Sequence, residues 1–214
     1  MTIRAKLYAA IAVTIAGLAL TAGVGIWAMS NLSDRFDSVQ NAADDRALAL
    51  ELKFDIADFN GWQTAYGYDN GKSRPIFLRS VADFRRDLSR AERELDGRQE
   101  QAVVRDIRQA FEDFMRVDRQ AYAALRAGHE GEVRRLFLGP EIGNFQRAAA
   151  ATQDLATLED ARASAEQQRF DKARKDALRY LILASILAGV FVAILLATAV
   201  DLARSAERAL GKPS

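Results

Sequence analysis

The sequence contains no cysteine, three prolines and one histidine among its 214 residues. Without cysteine the chain has neither a disulfide nor a thiolate nucleophile in any compartment. The scarcity of proline, together with abundant Ala, Arg, Leu, Glu and Gln, favours long helices. The 30 basic and 29 acidic residues nearly cancel, so the overall charge gives no reason to expect nucleic-acid binding.

Motifs that carry catalytic chemistry are missing as well. The sequence has no phosphate-binding glycine loop and no grouping of histidine, cysteine and aspartate that would form a nucleophilic site. The single histidine, His129, lies beside Glu130 and Glu132, whereas transition-metal sites need three or four converging ligands. We therefore expect no enzyme activity, no metal site and no cofactor.

Two long uncharged runs, one near each end of the chain, are the most informative feature that is present. They cover residues 7–33 and 180–200, and each reaches the roughly 20 apolar residues that a helix needs to cross a bilayer. A secretory signal has an apolar core of only about 7–15 residues, so the first run is predicted to remain as an anchor. The predicted layout is a cytoplasmic N-terminus at 1–6, transmembrane helices at 7–29 and 180–200, a central domain at 30–179 and a short cytoplasmic tail at 201–214.

Basic residues near the spans set the predicted orientation. Arg4 and Lys6 precede the first span, which favours a cytoplasmic N-terminus. The basic residues between Arg169 and Arg179 favour the opposite orientation, but this rule loses force for loops longer than about 60 residues. We therefore expect a multi-pass protein of the cell membrane, embedded in the lipid bilayer, with residues 30–179 outside the cytoplasm.

The central domain is predicted to be all-α because helix-ending signals divide it into four segments. Glycines at the Asp69-Asn70-Gly71 and Asp96-Gly97 sequences mark two helix ends, and Pro140 suits the first turn of a later helix. The predicted helices lie near 31–68, 75–95, 98–127 and 141–180, with a short extra turn over 132–138.

Apolar residues recur along these helices in alternating steps of three and four, the spacing of helices packed in a bundle. Short connections make consecutive helices antiparallel. The predicted fold class is therefore a membrane-anchored antiparallel up-down four-helix bundle with two transmembrane helices. The predicted inward positions are Leu32, Phe36, Val39, Ala43, Ala47, Leu50, Phe54, Ala57 and Gly61 in the first helix, Val81, Phe84, Leu88, Ala91 and Leu95 in the second, Val103, Ile107, Ala110, Phe114, Val117, Ala121 and Ala124 in the third, and Ile142, Phe145, Ala149, Thr152, Leu155, Leu158, Ala165, Phe170, Ala173 and Ala177 in the fourth.

Three passages of this sequence are distinctive. The first is the stretch from Asp58 to Asp69 that closes the first predicted helix, which includes Asn60-Gly61-Trp62-Gln63. The second is the segment 131–141 that leads into the fourth helix. The third is the fourth helix itself, which runs into the second span without a helix-breaking residue. Together these passages resemble the four-helix-bundle sensor domain of bacterial methyl-accepting chemotaxis proteins.

The resemblance implies a homodimeric receptor whose ligand, bound at the membrane-distal half, displaces the second membrane helix. Packed helices can slide by about 1–2 Å without losing their contacts, so the unbroken helices provide a mechanical route for such a signal. Only 14 residues follow the second span, too few for a signalling module. We therefore expect the chain to signal through a partner, such as a full-length chemoreceptor.

The end of the first helix carries the best candidate ligand site. Asp55, Asp58, Trp62, Tyr66 and Asp69 follow one another in steps of three or four, so they share one stripe of the helix. Acidic and aromatic side chains together suit a cationic or amphiphilic ligand. The alternative is that Trp62 and Tyr66 fill the core while the acids are solvated.

Arginine is the residue that chemoreceptors of this family use to bind amino-acid carboxylates, and none occurs between Arg46 and Arg74. Arg147 is the nearest arginine that could replace them; the alternative is that Arg147 is an ordinary surface residue.

Two functions stay open at this point. The first is a transmembrane sensor module for an unknown small ligand; the second is a membrane-anchored interaction bundle, or a truncated receptor, without a small-molecule ligand.

Overall fold

The computed structural model describes residues 3–210, with side chains from residue 8 to residue 204 except those of 10 and 202. Parts of the predicted cytoplasmic segments 1–6 and 201–214 lie outside the described residues. Within 3–210 the chain is helical and has no strand, which confirms the all-α prediction. The elements are α1 (Ile3–Tyr68), α2 (Arg74–Glu94), α3 (Arg98–Arg126), α4 (Glu130–Leu136), a π-helical turn (Phe137–Glu141) and α5 (Ile142–Leu210).

The chain divides into two compact units. Unit 1 consists of Met1–Ser38 and Gln167–Ser214, and unit 2 consists of Val39–Glu166. Unit 1 contains one part of α1 and one part of α5, whereas unit 2 contains the rest of these helices together with α2, α3, α4 and the π-helical turn.

Unit 1 pairs two apolar helical segments. The most apolar windows of α1 and α5 have mean hydropathies of 1.9 and 2.7, so both helices are long and apolar enough to cross a membrane. Within unit 1, Trp27 meets Tyr180 edge to face at 5.8 Å, and Phe36 meets Phe170 in the same way at 6.2 Å. Aromatic pairs of this geometry hold two helices together beyond the effect of buried area alone.

The turn between α1 and α2 forms as the sequence predicts. Asn70 and Gly71 have left-handed backbone angles, with φ of 57° and 88°, which Asn and Gly adopt at low cost. The Asp69 carboxylate accepts hydrogen bonds from the Ser73 backbone N–H at 3.2 Å and from the Ser73 hydroxyl at 2.5 Å. These bonds fix the chain reversal immediately before α2 begins at Arg74.

The entry to α5 differs from the prediction. Pro140 was expected in the first turn of a new helix, but it lies inside the π-helical turn, through which α4 continues into α5. Proline has no N–H and crowds the carbonyl four residues earlier, and the wider π turn accommodates such an interruption within a helical path. Glu141, the last residue of this turn, is buried.

The core of unit 2 is a helical bundle to which α1, α2, α3 and α5 all contribute buried side chains. Phe59 lies at its centre, with ring centroids 5.2–6.5 Å from Phe77, Phe84, Phe111 and Phe114. Each fully buried phenylalanine stabilises the fold by about 1.5–3 kcal/mol. The predicted core positions of the second helix, Val81 to Leu95, are all buried, as are those of the third helix except the partly buried Val103.

The predicted inward face of the first helix is wrong. Leu50 and Phe54 are 46% and 69% exposed, and Ala57 and Gly61 are exposed as well. The residues of α1 that are buried in unit 2 are instead Ala42, Leu48, Ala49, Leu52, Ile56, Phe59, Gln63 and Tyr66. This segment carries two apolar stripes with the same spacing, and the stripe that contains Phe59 and Tyr66 fills the core. In α5, Ile142 is likewise exposed, whereas Thr152 and Leu155 are buried as predicted.

Candidate functional site

The acidic half of the predicted stripe on α1 faces α2. Asp58 is partly buried, and its Oδ2 accepts a hydrogen bond from the Ser80 hydroxyl. Asp55 lies beside Asp87, and its Oδ2 is buried without a hydrogen-bond donor among the described residues. Burial first, and then the neighbouring Asp87 carboxyl, raise the pKa of Asp55 to about 7. Asp55 can therefore gain or lose a proton near neutral pH.

The aromatic half of the stripe contributes to the core. Trp62 is partly buried and packs against the core cluster. Tyr66 is 0% exposed, and its ring meets those of Tyr122 at 5.9 Å and Phe137 at 6.1 Å, both edge to face. The Tyr66 hydroxyl donates a hydrogen bond to Asp118 Oδ1. Burial and the Asp118 carboxylate raise the pKa of Tyr66, so the phenol keeps its proton.

Arg74, the first residue of α2, pairs with the same aspartate. Its Nη1 and Nη2 donate to the two Asp118 carboxylate oxygens at 2.9 and 2.7 Å. The guanidinium also lies over the ring of Tyr122 at 4.1 Å and over that of Tyr66 at 4.7 Å. A bidentate pair stacked on aromatic faces holds the charge of Asp118, which is 0% exposed.

Glu141 completes this group, which we call the polar cluster: Tyr66, Arg74, Asp118, Tyr122 and Glu141. Glu141 is only 2% exposed, and neither carboxyl oxygen has a hydrogen-bond partner among the described residues. Burial first, and then the Asp118 carboxylate, raise the pKa of Glu141 to about 9. Glu141 is therefore protonated at neutral pH, and the cluster holds one unsatisfied buried acid.

Tyr66 is the one member of the polar cluster that the sequence predicted as a site residue, and the roles of Arg74, Asp118 and Glu141 were missed. Arg74 was noted merely as the end of an arginine-free stretch. Asp118 follows the core position Val117, and an acid at such a position was a signal that could have revealed a buried partner. A tight contact supports the cluster, because a Cβ placed on Gly67 would lie 2.5 Å from the Phe137 ring.

The remaining predicted site residues make their hydrogen bonds elsewhere. Asp69 fixes the α1–α2 turn, and hydrogen bonds from Ser73 lower the pKa of its carboxyl. Arg147 is exposed and donates from Nη2 to Asp113 Oδ2 at 3.1 Å and to Asn144 Oδ1 at 2.6 Å. The structure thus brings Tyr66 into a buried cluster, while Asp58, Asp69 and Arg147 each have a different local partner. Ligand binding by these residues stays a prediction.

A second group of buried acids surrounds Arg162 of α5. Its Nη1 lies 2.7 Å from Glu100 Oε1, 3.3 Å from Asp45 Oδ2 and 3.8 Å from Glu159 Oε2. Glu159 is fully buried, and neither of its carboxyl oxygens has a hydrogen-bond partner in the described chain. Burial first, and then the Glu100 carboxylate, raise the pKa of Glu159 to about 7. One arginine thus faces three acids.

Metal binding finds no support in the part of the chain that the structure describes. No group of three or more His, Cys, Asp or Glu side chains is placed to hold a metal ion there. His129 is exposed, and its Nδ1 lies 3.9 Å from Glu132.

Comparisons with known proteins give no match: no protein-family model, no curated protein and no solved structure is similar to this chain. The function therefore rests on the chain's own residues, and the resemblance to chemotaxis sensors stays a prediction.

Proposed function

We propose that this chain is a membrane-anchored sensor module of the chemoreceptor type, which binds an extracytoplasmic ligand and transmits helix displacement across the membrane to a partner. The observation that supports it best is the extent of α1 and α5. Each is one helix, and each includes both a membrane-length apolar segment of unit 1 and buried core positions of unit 2. A change in how either helix packs in unit 2 thus acts on a helix that also forms a span.

The polar cluster supports the proposal because four elements contribute polar side chains to it. Tyr66 belongs to α1, Arg74 to α2 and Asp118 to α3, and Glu141 ends the turn before α5. Buried polar networks hold one arrangement when satisfied, and they respond strongly to a change in one member. Glu141 is the unsatisfied member. A ligand that alters the packing around Trp62 or Tyr66 would change the network where α1 and α5 meet the other helices.

The exposed apolar stripe of α1 supports a homodimer. Ala43, Ala47, Leu50, Phe54, Ala57 and Gly61 recur at heptad spacing, and all six are exposed. Phe54 is 69% exposed, and a Cβ on Gly61 would meet nothing within 4 Å. Two large apolar residues with small residues on either side of them along one stripe suit the close packing of a second helix. We place the same stripe of a second copy against it. The two central domains, each an antiparallel four-helix bundle, then lie side by side outside the cytoplasm.

An interaction bundle without a small ligand is the second candidate function. The same exposed stripe favours it, because this surface fits a protein partner and the complete burial of Tyr66 removes its ring from solvent. In this case the partner alone, such as a full-length receptor, defines the role of the chain.

Ligand-dependent stabilisation of the full chain in lipid nanodiscs distinguishes the two functions. Amino acids, amines, organic acids and sugars form the panel. A ligand at 100 times its dissociation constant stabilises the fold by about 2.7 kcal/mol, which a thermal scan detects. A hit that a folded Trp62→Ala variant loses would support the sensor, and a panel without any hit would favour the interaction bundle.

Transmission of the ligand signal to the predicted spans is tested by crosslinking within unit 1, where Trp27 and Tyr180 are in contact. The chain has no cysteine of its own, so a Trp27→Cys/Tyr180→Cys variant carries only the introduced pair. We expect the ligand to change the rate at which this pair forms a disulfide. An unchanged rate with saturating ligand would show that binding does not reach the spans.

A further inference from the structure

A groove where α2 meets α3 is lined by an excess of arginine. Its volume is about 420 Å³, and four arginines line it, Arg85 from α2 and Arg108, Arg116 and Arg119 from α3, against two acids, Glu112 and Asp113. Small-ligand sites have volumes of about 300–1,000 Å³. The groove is therefore large enough for a small molecule, and it carries a positive charge.

Two of these arginines are neutralised by carboxylates. Arg108 binds Glu92 through two nitrogens, of which Nη2 lies 2.6 Å from Oε2. Arg116 donates to Asp113, which also accepts from Arg147 of α5 at 3.1 Å. Although burial alone would favour its protonated form, hydrogen bonds from Arg116, Gln109 and Arg147 lower the pKa of the Asp113 carboxyl. Asp113 thus neutralises Arg116 and Arg147, which already bind it, and does not pair with Arg85 or Arg119.

The other two arginines keep their donors available. Neither Arg85 nor Arg119 pairs with a carboxylate in the part of the chain that the structure describes, and both are exposed. The Arg85 guanidinium lies 5.5 Å from the centroid of the Phe111 ring. Stacking on a ring orients a guanidinium while its N–H groups still point outward in the plane. Arg85 is therefore held over the groove with its donors free for an anion.

Two apolar side chains, Phe111 and Met115, contribute a small apolar surface at the floor of the otherwise polar groove. Both are largely buried, at 2% and 5% exposed. An aromatic ring and a polarisable thioether favour contact with flat apolar or aromatic groups. The groove thus combines free guanidinium groups with an apolar floor.

We propose that the α2–α3 groove is a binding site for a small organic oxyanion, in which Arg85 and Arg119 bind a carboxylate or phosphate group and the Phe111–Met115 floor contacts an apolar or aromatic body. Guanidinium groups match both oxyanions through paired N–H···O bonds. The site lies apart from the predicted stripe on α1, and binding here does not depend on whether the chain transmits a signal.

Calorimetric titration of the full chain in nanodiscs of zwitterionic lipid, at fixed ionic strength, tests this site. The probes are isophthalate and phenyl phosphate, with benzamide as the neutral analogue and inorganic phosphate as the anion without an apolar body. We expect saturable binding of at least one of the two aromatic anions, weaker binding of inorganic phosphate and none of benzamide. Arg85→Gln and Arg119→Gln should each weaken binding by roughly 10- to 150-fold, since a hydrogen bond to a charged group is worth about 1.5–3 kcal/mol.

Arg105→Gln is the matched control, because Arg105 is an exposed arginine of α3 outside the groove; we expect its affinity to be unchanged. Arg119 makes no hydrogen bond or ion pair to another described residue, so its substitution should leave the fold intact, and the melting temperature without ligand verifies this. Three results would each overturn the proposal: no saturable binding of either aromatic anion, unchanged affinity in a folded Arg85→Gln/Arg119→Gln variant, or binding of inorganic phosphate as tight as that of phenyl phosphate.

Discussion

At the scale of single residues, Asp118 is the position that connects Tyr66 and Arg74 in the polar cluster. It accepts from the Tyr66 hydroxyl and from both Arg74 nitrogens while it is 0% exposed. A buried ion pair adds little net stability when intact, because both charges lose their hydration, but removing one partner leaves the other charge uncompensated. The cost of substitution is therefore much larger than the gain from forming the pair.

Asp118→Ala should lower the free energy of unfolding by about 3–5 kcal/mol, because Arg74 would remain buried without its counter-ion. Chemical denaturation of the full chain in detergent measures the change. Asp106→Ala, at an exposed position of the same helix, is the control and should change stability by less than about 0.5 kcal/mol. Equal effects of the two substitutions would refute the role given to the polar cluster.

Gly67 is a second residue whose identity follows from a close approach. Replacing a glycine by alanine inside a helix normally stabilises it by roughly 0.5–1 kcal/mol. At Gly67 the new methyl group would lie 2.5 Å from Phe137, and overpacking of this kind costs about 1–3 kcal/mol. We expect Gly67→Ala to lower the melting temperature. Gly143→Ala in α5, where an added Cβ meets nothing within 4 Å, should leave the melting temperature unchanged or raise it.

At the scale of helices, α1 differs from its neighbours because it has apolar residues on two faces. One stripe packs inside unit 2, and the other, which contains Leu50 and Phe54, is exposed. Exposed apolar stripes of this length mark surfaces that bind another protein or another copy. We therefore propose that this helix has a role in assembly as well as in the core.

Phe54→Glu should weaken self-association by at least tenfold, because it places a charge in the centre of the exposed stripe, where burial without a partner is unfavourable. Sedimentation of the full chain in detergent over a range of concentrations measures this. Leu78→Glu on α2, where the leucine is 46% exposed, controls for the loss of an exposed apolar side chain. Association that persists equally in both variants would exclude the stripe as the dimer surface.

At the scale of the whole molecule, buried acids set how stability depends on pH. Asp55 and Glu159 have pKa values raised to about 7, and Glu141 to about 9, in each case chiefly by burial. The unfolded chain releases these protons near pH 4, so the folded state holds more protons between pH 4 and the raised values. Stability must therefore fall as the pH rises through this window, by up to about 1.4 kcal/mol per pH unit for each group.

We expect the melting temperature to be higher at pH 5.5 than at pH 8.5. Each of two substitutions removes one titrating group. Glu159→Gln should therefore reduce the fall of the melting temperature with pH up to about pH 7, and Glu141→Gln should reduce it up to about pH 9. Calorimetric scans of the full chain at matched ionic strength measure both slopes. A stability that rises with pH over this range, or slopes equal to that of the unchanged chain in both variants, would contradict the burial of these acids.

The sequence by itself determined the all-helical character, the two apolar segments and the helix ends around α2 and α3, whereas the entry to α5 differed from the prediction. These features depend on neighbouring residues alone: Asn70 and Gly71 adopt left-handed angles where α1 ends, and the uncharged runs identify the segments long enough to span a membrane. The cores of α2 and α3 were also predictable, because each of those helices has a single apolar face.

Only the tertiary structure decided which face of α1 is buried and which polar side chains meet. Leu50 and Leu52 belong to stripes of equal spacing, and the choice between them depends on the phenylalanines that surround Phe59. Tyr66 and Asp118 are 52 residues apart in sequence, so no local pattern predicts that they form a hydrogen bond. The physical reason is the same in both cases: burial and pairing are properties of surfaces brought together from separate helices, whereas a helix and its ends are encoded within a few consecutive residues.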